Sequence, residues 1–287
     1  MIFVIFIHII IMVIEMKNAK EKKSKIQIFI LIFRIISVII IAVCLYVLYL
    51  WHLDNEANNN LQDDLVTLIE LDTPSNGSEV PAIDPRFKDI LDENNLSIAN
   101  FNVDFNGLLE KNEDSVAWVR IIGTNISYPV VQTKDNDFYL THNILKEKNG
   151  AGWIFADYRN NFEKLDKNTI IYGHNRRNGT MFSNLKFYLD EEYCSDPNHK
   201  YINFNTKDQK YLAEIFSVYK TTPNNVILPN EFNSIIELQD TIDSWKKSSI
   251  YDFQTDVTTG DKLLTLYTCD NNTTYRILVH AKLIPIN

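Results

Sequence analysis

The 287 residues are 45% hydrophobic and 23% charged, with 28 Lys+Arg against 37 Asp+Glu and a formal net charge of −9. That content is too apolar for disorder, 8 Gly and 8 Pro exclude a collagen-like repeat, and three cysteines are too few for a disulfide framework. The acidic balance excludes nucleic acid as the main partner, because phosphate binding calls for a positive surface.

The charge is unevenly spread. Residues 1–51 carry net +4, which leaves −13 for residues 52–287, the layout of a basic, apolar anchor on an acidic body. Residues 1–14 (MIFVIFIHIIIMVI) are apolar but too short to span a membrane comfortably. Met16 followed by KNAKEKKSK reads as a natural start, so residues 1–15 are an upstream-start extension of a cytoplasmic N-terminus at 1–27; a short re-entrant segment is the other reading. Residues 28–51 (IFILIFRIISVIIIAVCLYVLYLW) are apolar except for Arg34 and Ser37. As a helix they reach roughly 36 Å against a hydrocarbon layer of about 30 Å, so a single transmembrane helix is expected. Arg34 would extend its guanidinium to the inner interface, with Tyr46, Tyr49 and Trp51 at the outer one. Five lysines precede the span and few basic residues follow it closely. The expected arrangement is a single-pass cell-membrane protein, N-terminus cytoplasmic and body extracellular. A cleaved signal peptide competes, but no small-x-small site precedes NEANNN.

Residues 52–83 are Asn- and Asp-rich and read as a polar linker with a short helix near Leu61–Leu71. Residues 84–287 form the expected folded domain. Apolar spacing in Pro85–Glu113 predicts one or two short helices. Eight β-like runs follow, at 116–122, 127–132, 152–156, 168–173, 200–204, 211–220, 262–269 and 275–284. They predict a mainly β domain, closed or sandwiched. One helix interrupts them at Glu231–Ser249, with Phe232, Ile235, Ile236, Leu238, Ile242 and Trp245 on one face.

Few residues can carry chemistry. Cys44 lies in the span, and Cys194, in DEEYCSDPNH, reads as an incidental surface cysteine whose acidic neighbours raise its pKa. Cys269 ends KLLTLYTC; alternation puts Thr265, Tyr267 and Cys269 on one face and Leu264, Leu266 and Thr268 on the other. With the leucines on the core face, Cys269 is a candidate nucleophile at the rim, and a structural cysteine is the alternative. His8 and His52 flank apolar or linker sequence and His199 lies in a loop, while His142 reads as packing and His280 as a mid-strand structural residue. His174 follows NTIIYG at a strand end, where it can meet a cysteine on another strand end. Arg276 opens the last strand, seven residues after Cys269, and is either a group that lowers a thiolate pKa and holds an oxyanion or a plain surface arginine.

TLYTC with Arg276, NTIIYGHN upstream, and Met181–Phe182 resemble the sortases, cysteine transpeptidases of Gram-positive surfaces. WVRIIGTNISYPVVQTKDNDFYL, GWIFADYRNN and YGHNRRNGTMFSNL resemble class B in particular, over about Asn102–Ile284. The resemblance implies an eight-stranded sortase β-barrel with N-terminal helices and one long helix before the penultimate strand. It implies Cys269 as nucleophile, His174 as the histidine and Arg276 as the arginine, with Tyr267 and Thr268 on the substrate side. It further implies cleavage of a C-terminal sorting motif after Thr, a thioester intermediate, and transfer of the surface protein to a peptidoglycan or lipid II amine. No cofactor or metal is expected, since zinc spacing and a Gly-rich phosphate loop are missing from the sequence. Tyr267 stands where class B members usually have a small Ser, and the turn between Cys269 and Arg276 is short. A pilin-polymerising sortase, an ordinary cysteine protease and a catalytically silent membrane-tethered binding module remain as alternatives.

Overall fold

A computed structural model describes residues 7–13, 25–71, 101–269 and 275–286. The chain divides into two compact units, residues 1–57 and 58–287. The described residues of the first are helical. Helix α1 (Lys25–Val66) contains a stretch from Ile30 that is long and apolar enough to cross a membrane. Its apolar side chains, such as Phe33, Ile40 and Leu48, lie exposed.

Of the stretch read as a polar linker, residues 72–83 lie outside the described residues, and residues 52–71 are structured. The helix runs on to Val66, and Ile69–Leu71 forms β1, antiparallel to β2 (Phe101–Val103). Leu65 is buried, and Lys111 pairs with Asp64 at 2.7 Å. Of the helices expected within 85–113, residues 85–100 lie outside the described residues. Helix α2 (Phe105–Lys111) is present, its first turn capped by Asp104, whose carboxylate accepts the Asn106 and Gly107 N–H groups.

The domain is an eight-stranded closed barrel. In chain order its strands are β3 (Ser115–Ile121), β4 (Ser127–Val131), β5 (Phe155–Ala156), β6 (Asn168–His174), β7 (Tyr201–Thr206), β8 (Lys210–Thr221), β9 (Lys262–Cys269) and β10 (Arg276–Ile286). Around the barrel the order is β10-β8-β7-β3-β4-β5-β6-β9. Two joins are parallel, β4–β5 and β6–β9. Each of the eight runs read from sequence became a strand. The 152–156 run shrank to two residues because Gly152 takes φ +60°, a left-handed conformation that breaks an extended ladder.

Among the described residues three apolar clusters form, two of them large. The inner one gathers Trp118, Val130, Trp153, Phe182, Phe204, Leu264 and Leu266 among others. The second lies under helix α4 (Ile235–Ser248), where Leu238, Ile242 and Trp245 pack on Phe216 and Leu263. Burying each such side chain stabilises by about 1.5–3 kcal/mol. α4 begins later than its pattern suggested, because Ser234 accepts the Glu237 N–H and caps it, while Glu237 reaches back to the Asn233 N–H. Ile235 and Ile236 are exposed; they stand in the first turn, before the stretch in which Leu238, Ile242 and Trp245 pack on the barrel.

Candidate active site

Both faces of β9 are covered. Leu264 and Leu266 enter the inner cluster, as alternation required. Behind the other face Thr265 is buried: its hydroxyl donates to Asn168 Oδ1 at 2.8 Å and meets His280 Nδ1 at 2.9 Å. With the Thr265 proton directed at Asn168, His280 Nδ1 must donate, which leaves Nε2 to accept from the Tyr219 hydroxyl at 3.3 Å. Trp245 stacks on the ring at 3.8 Å. Burial pushes the His280 pKa down to about 3, so this histidine is neutral and structural.

The catalytic candidates meet at one end of three neighbouring strands. In the parallel β6–β9 ladder, His174 is the partner of Cys269, the last pair in register. β10 runs antiparallel to β9, with Leu278 opposite Tyr267, so its first residue, Arg276, starts at that same end. Thr268 is buried and its Oγ1 accepts the Ile277 N–H at 2.9 Å, stapling β9 to β10 between Cys269 and Arg276. Arg276 pairs with Thr221 on its other side and donates through Nη1 to the Tyr275 carbonyl at 3.1 Å. Tyr267 is half-buried and meets Tyr172 edge-to-face at 5.4 Å. A hollow of about 690 Å³ lies behind this edge, between β8 and α4, and Thr221 forms part of its wall.

His174 is held by a partner that residue types alone could not reveal. Its Nε2 donates to the Leu140 carbonyl at 2.9 Å. The carbonyls on either side are taken, Tyr139 O by the Trp153 N–H and Thr141 O by the Asn149 N–H, so that the Leu140 carbonyl is the one turned to the imidazole. Gly152 makes this fit possible: a Cβ there would stand 2.6 Å from Tyr139 O, 2.8 Å from Leu140 O and 2.9 Å from His174 Cδ2. Arg176 then donates to Gly150 O at 3.0 Å and ties the segment after His174 to the same loop. The glycine pair in NGAGW was the sequence signal for this turn.

The remaining candidates sit elsewhere. His142 stacks on Phe138 at 4.1 Å, in the packing role read for it, and His199 stacks on Tyr193 at 3.7 Å. Cys194 corrects the surface reading. It is buried in the short helix α3 (Glu191–Ser195), and its Sγ donates to Tyr188 O at 3.2 Å. Burial, then Asp190 and Glu191, push its thiol up to about 11, so it is inert at neutral pH.

A family model described as the sortase domain matches residues 119–284. The chain belongs to the sortase family. Its relatives within that family are sortase B proteins. Sortase B of Listeria monocytogenes is 42% identical over 180 residues, covering 62% of this chain and 72% of the relative. The solved Staphylococcus aureus sortase B–substrate complex is 37% identical with a TM-score of 0.61, over 64% of this chain and 85% of that one. A Bacillus anthracis protein described as similar to sortase B matches with a TM-score of 0.65 at 32% identity, over 83% of this chain and 98% of the other. As a sortase the chain is a cysteine transpeptidase of a family that acts on proteins bearing sorting signals and on amine acceptors.

Proposed function

We propose that this sortase acts as a class B enzyme, with Cys269 as nucleophile, His174 as general acid and base, and Arg276 as the oxyanion's partner. The observation that carries the reading is the register: residues 95 apart in sequence are ladder partners at a strand end, and the neighbouring strand opens there with an arginine. The Cys269 thiolate adds to the carbonyl carbon of the Thr in a C-terminal sorting motif, and the Arg276 guanidinium stabilises the oxyanion. As the intermediate collapses, the C–N bond breaks, the leaving amine takes a proton from the His174 imidazolium, and a thioester remains. A neutral amine on peptidoglycan or lipid II then attacks the thioester, gives its proton to His174 and expels the thiolate. The product is a surface protein joined to the wall through a new amide. α1 would anchor the enzyme, with the lysine-rich N-terminus cytoplasmic and the barrel extracellular.

The direct test incubates the detergent-solubilised full-length chain with fluorogenic sorting peptides, with and without diaminopimelate or oligoglycine. The expected result is an acyl-enzyme mass that amine discharges into product. Cys269→Ala abolishes that adduct; an adduct that survives the substitution refutes the assignment.

A further inference from the structure

The FADYRNN segment contains a charge that the mechanism does not use. The Asp157 side chain is fully buried, yet five donors converge on it. Arg159 supplies its backbone N–H at 3.0 Å, Nε at 2.8 Å and Nη2 at 2.7 Å; the Tyr172 hydroxyl donates at 2.7 Å and Asn136 Nδ2 at 3.2 Å. Burial alone would raise the carboxyl's pKa, but the Arg159 bonds and the Tyr172 hydroxyl outweigh it and leave the pKa below its ordinary value. Such an ion pair, Asp157 buried and Arg159 part-exposed, is weak evidence of added stability. What it does supply is fixed direction.

The direction leads to the site. Tyr172 is the ladder partner of Tyr267, two residues before the His174–Cys269 pair. Its ring stands 5.4 Å from Tyr267 at 82° and 5.2 Å from Phe155. Arg159 Nη2 also donates to Leu228 O at 3.1 Å, and Asn230 Nδ2 donates to Arg159 O at 3.4 Å, so the same charge pair fastens the segment after β8.

We infer that Asp157 is a positioning residue: its carboxylate, clamped by Arg159, holds Tyr172 against Tyr267 and so fixes the cleft floor on which the acyl side of the sorting peptide rests. The part concerning the peptide rests on the function proposed above; the part concerning the tyrosines does not.

The test uses the full-length chain in detergent micelles and the variants Tyr172→Phe, which keeps the ring but loses the hydroxyl, and Asp157→Asn. In Tyr172→Phe the KM for a sorting peptide rises about threefold to tenfold, as loss of one hydrogen bond predicts, while kcat stays within about twofold. Asp157→Asn raises KM further. Alkylation of Cys269 by iodoacetamide, which needs no peptide floor, keeps its wild-type rate. With 3-fluorotyrosine incorporated, the 19F resonance of Tyr267 moves in both variants. The inference is overturned if KM and the Tyr267 resonance stay put while only the melting temperature drops. It is also overturned if kcat and the alkylation rate fall together, which would mean action on the nucleophile. Should Asp157→Asn fail to fold, Tyr172→Phe decides alone. Should the wild-type chain turn over no sorting peptide, the functional reading falls, and the 19F coupling still decides whether Asp157 sets Tyr267.

Discussion

Two histidines flank β9, one on each neighbouring strand, and they differ in everything except burial. His280 faces Thr265 in mid-strand, and His174 faces Cys269 at the strand end. His280 is enclosed by Trp245, Phe216 and Tyr219, and this burial penalises its protonated form. His174 donates to a main-chain carbonyl, which accepts equally well from imidazole or imidazolium. Burial keeps the His280 ring neutral, and the two rings differ in what their nitrogens meet.

The largest effect that would break this contrast is on His174. His174→Ala should lower kcat about 10²–10⁴-fold, the usual span for a general acid–base, with KM for the peptide little changed. A loss below tenfold in steady-state transpeptidation would remove it from the chemistry. Next comes its support. Gly152→Ala must push against the Leu140 carbonyl and adopt a left-handed φ, costing about 1–3 kcal/mol in denaturant melts and roughly tenfold in kcat. Unaltered kcat would show that the carbonyl does not orient the imidazole. The smallest effect on activity belongs to His280. Its folded pKa lies near 3 against the ordinary 6.5. The unfolded chain therefore binds the extra proton between those values, and stability is full above pH 6.5 and falls as pH drops towards 3. The full shift is worth on the order of 5 kcal/mol. His280→Gln should be less stable than wild type at pH 7 but lose less on acidification, with kcat within about twofold at pH 7; urea melts across that pH range would settle it.

Much of the barrel was legible because alternation and turn residues mark half-buried strands directly, as in NTIIYG and KLLTLYTC. The short DNNTT turn already set the strands of Cys269 and Arg276 side by side, whereas spacing alone did not say that the strand ending in His174 would lie beside them. Helix phase was harder. Ile235 and Ile236 fit the same apolar repeat as Leu238, yet only the turns after them pack on the barrel. Cys194 misled because its sequence neighbours are polar while its own side chain turns inward from the short helix. The Leu140 carbonyl was beyond reach for a simpler reason: a main-chain acceptor has no residue type to recognise.

The parallel join of β6 to β9 has a consequence for how the molecule comes to life. Parallel neighbours cannot be linked by a tight hairpin, so the whole excursion from 175 to 261 must be laid down before the sulfur-bearing strand finds its mate. β10 then seals the ring between β9 and β8. The candidate site is therefore complete only when β6, β9 and β10 stand side by side, and a half-made chain lacks it.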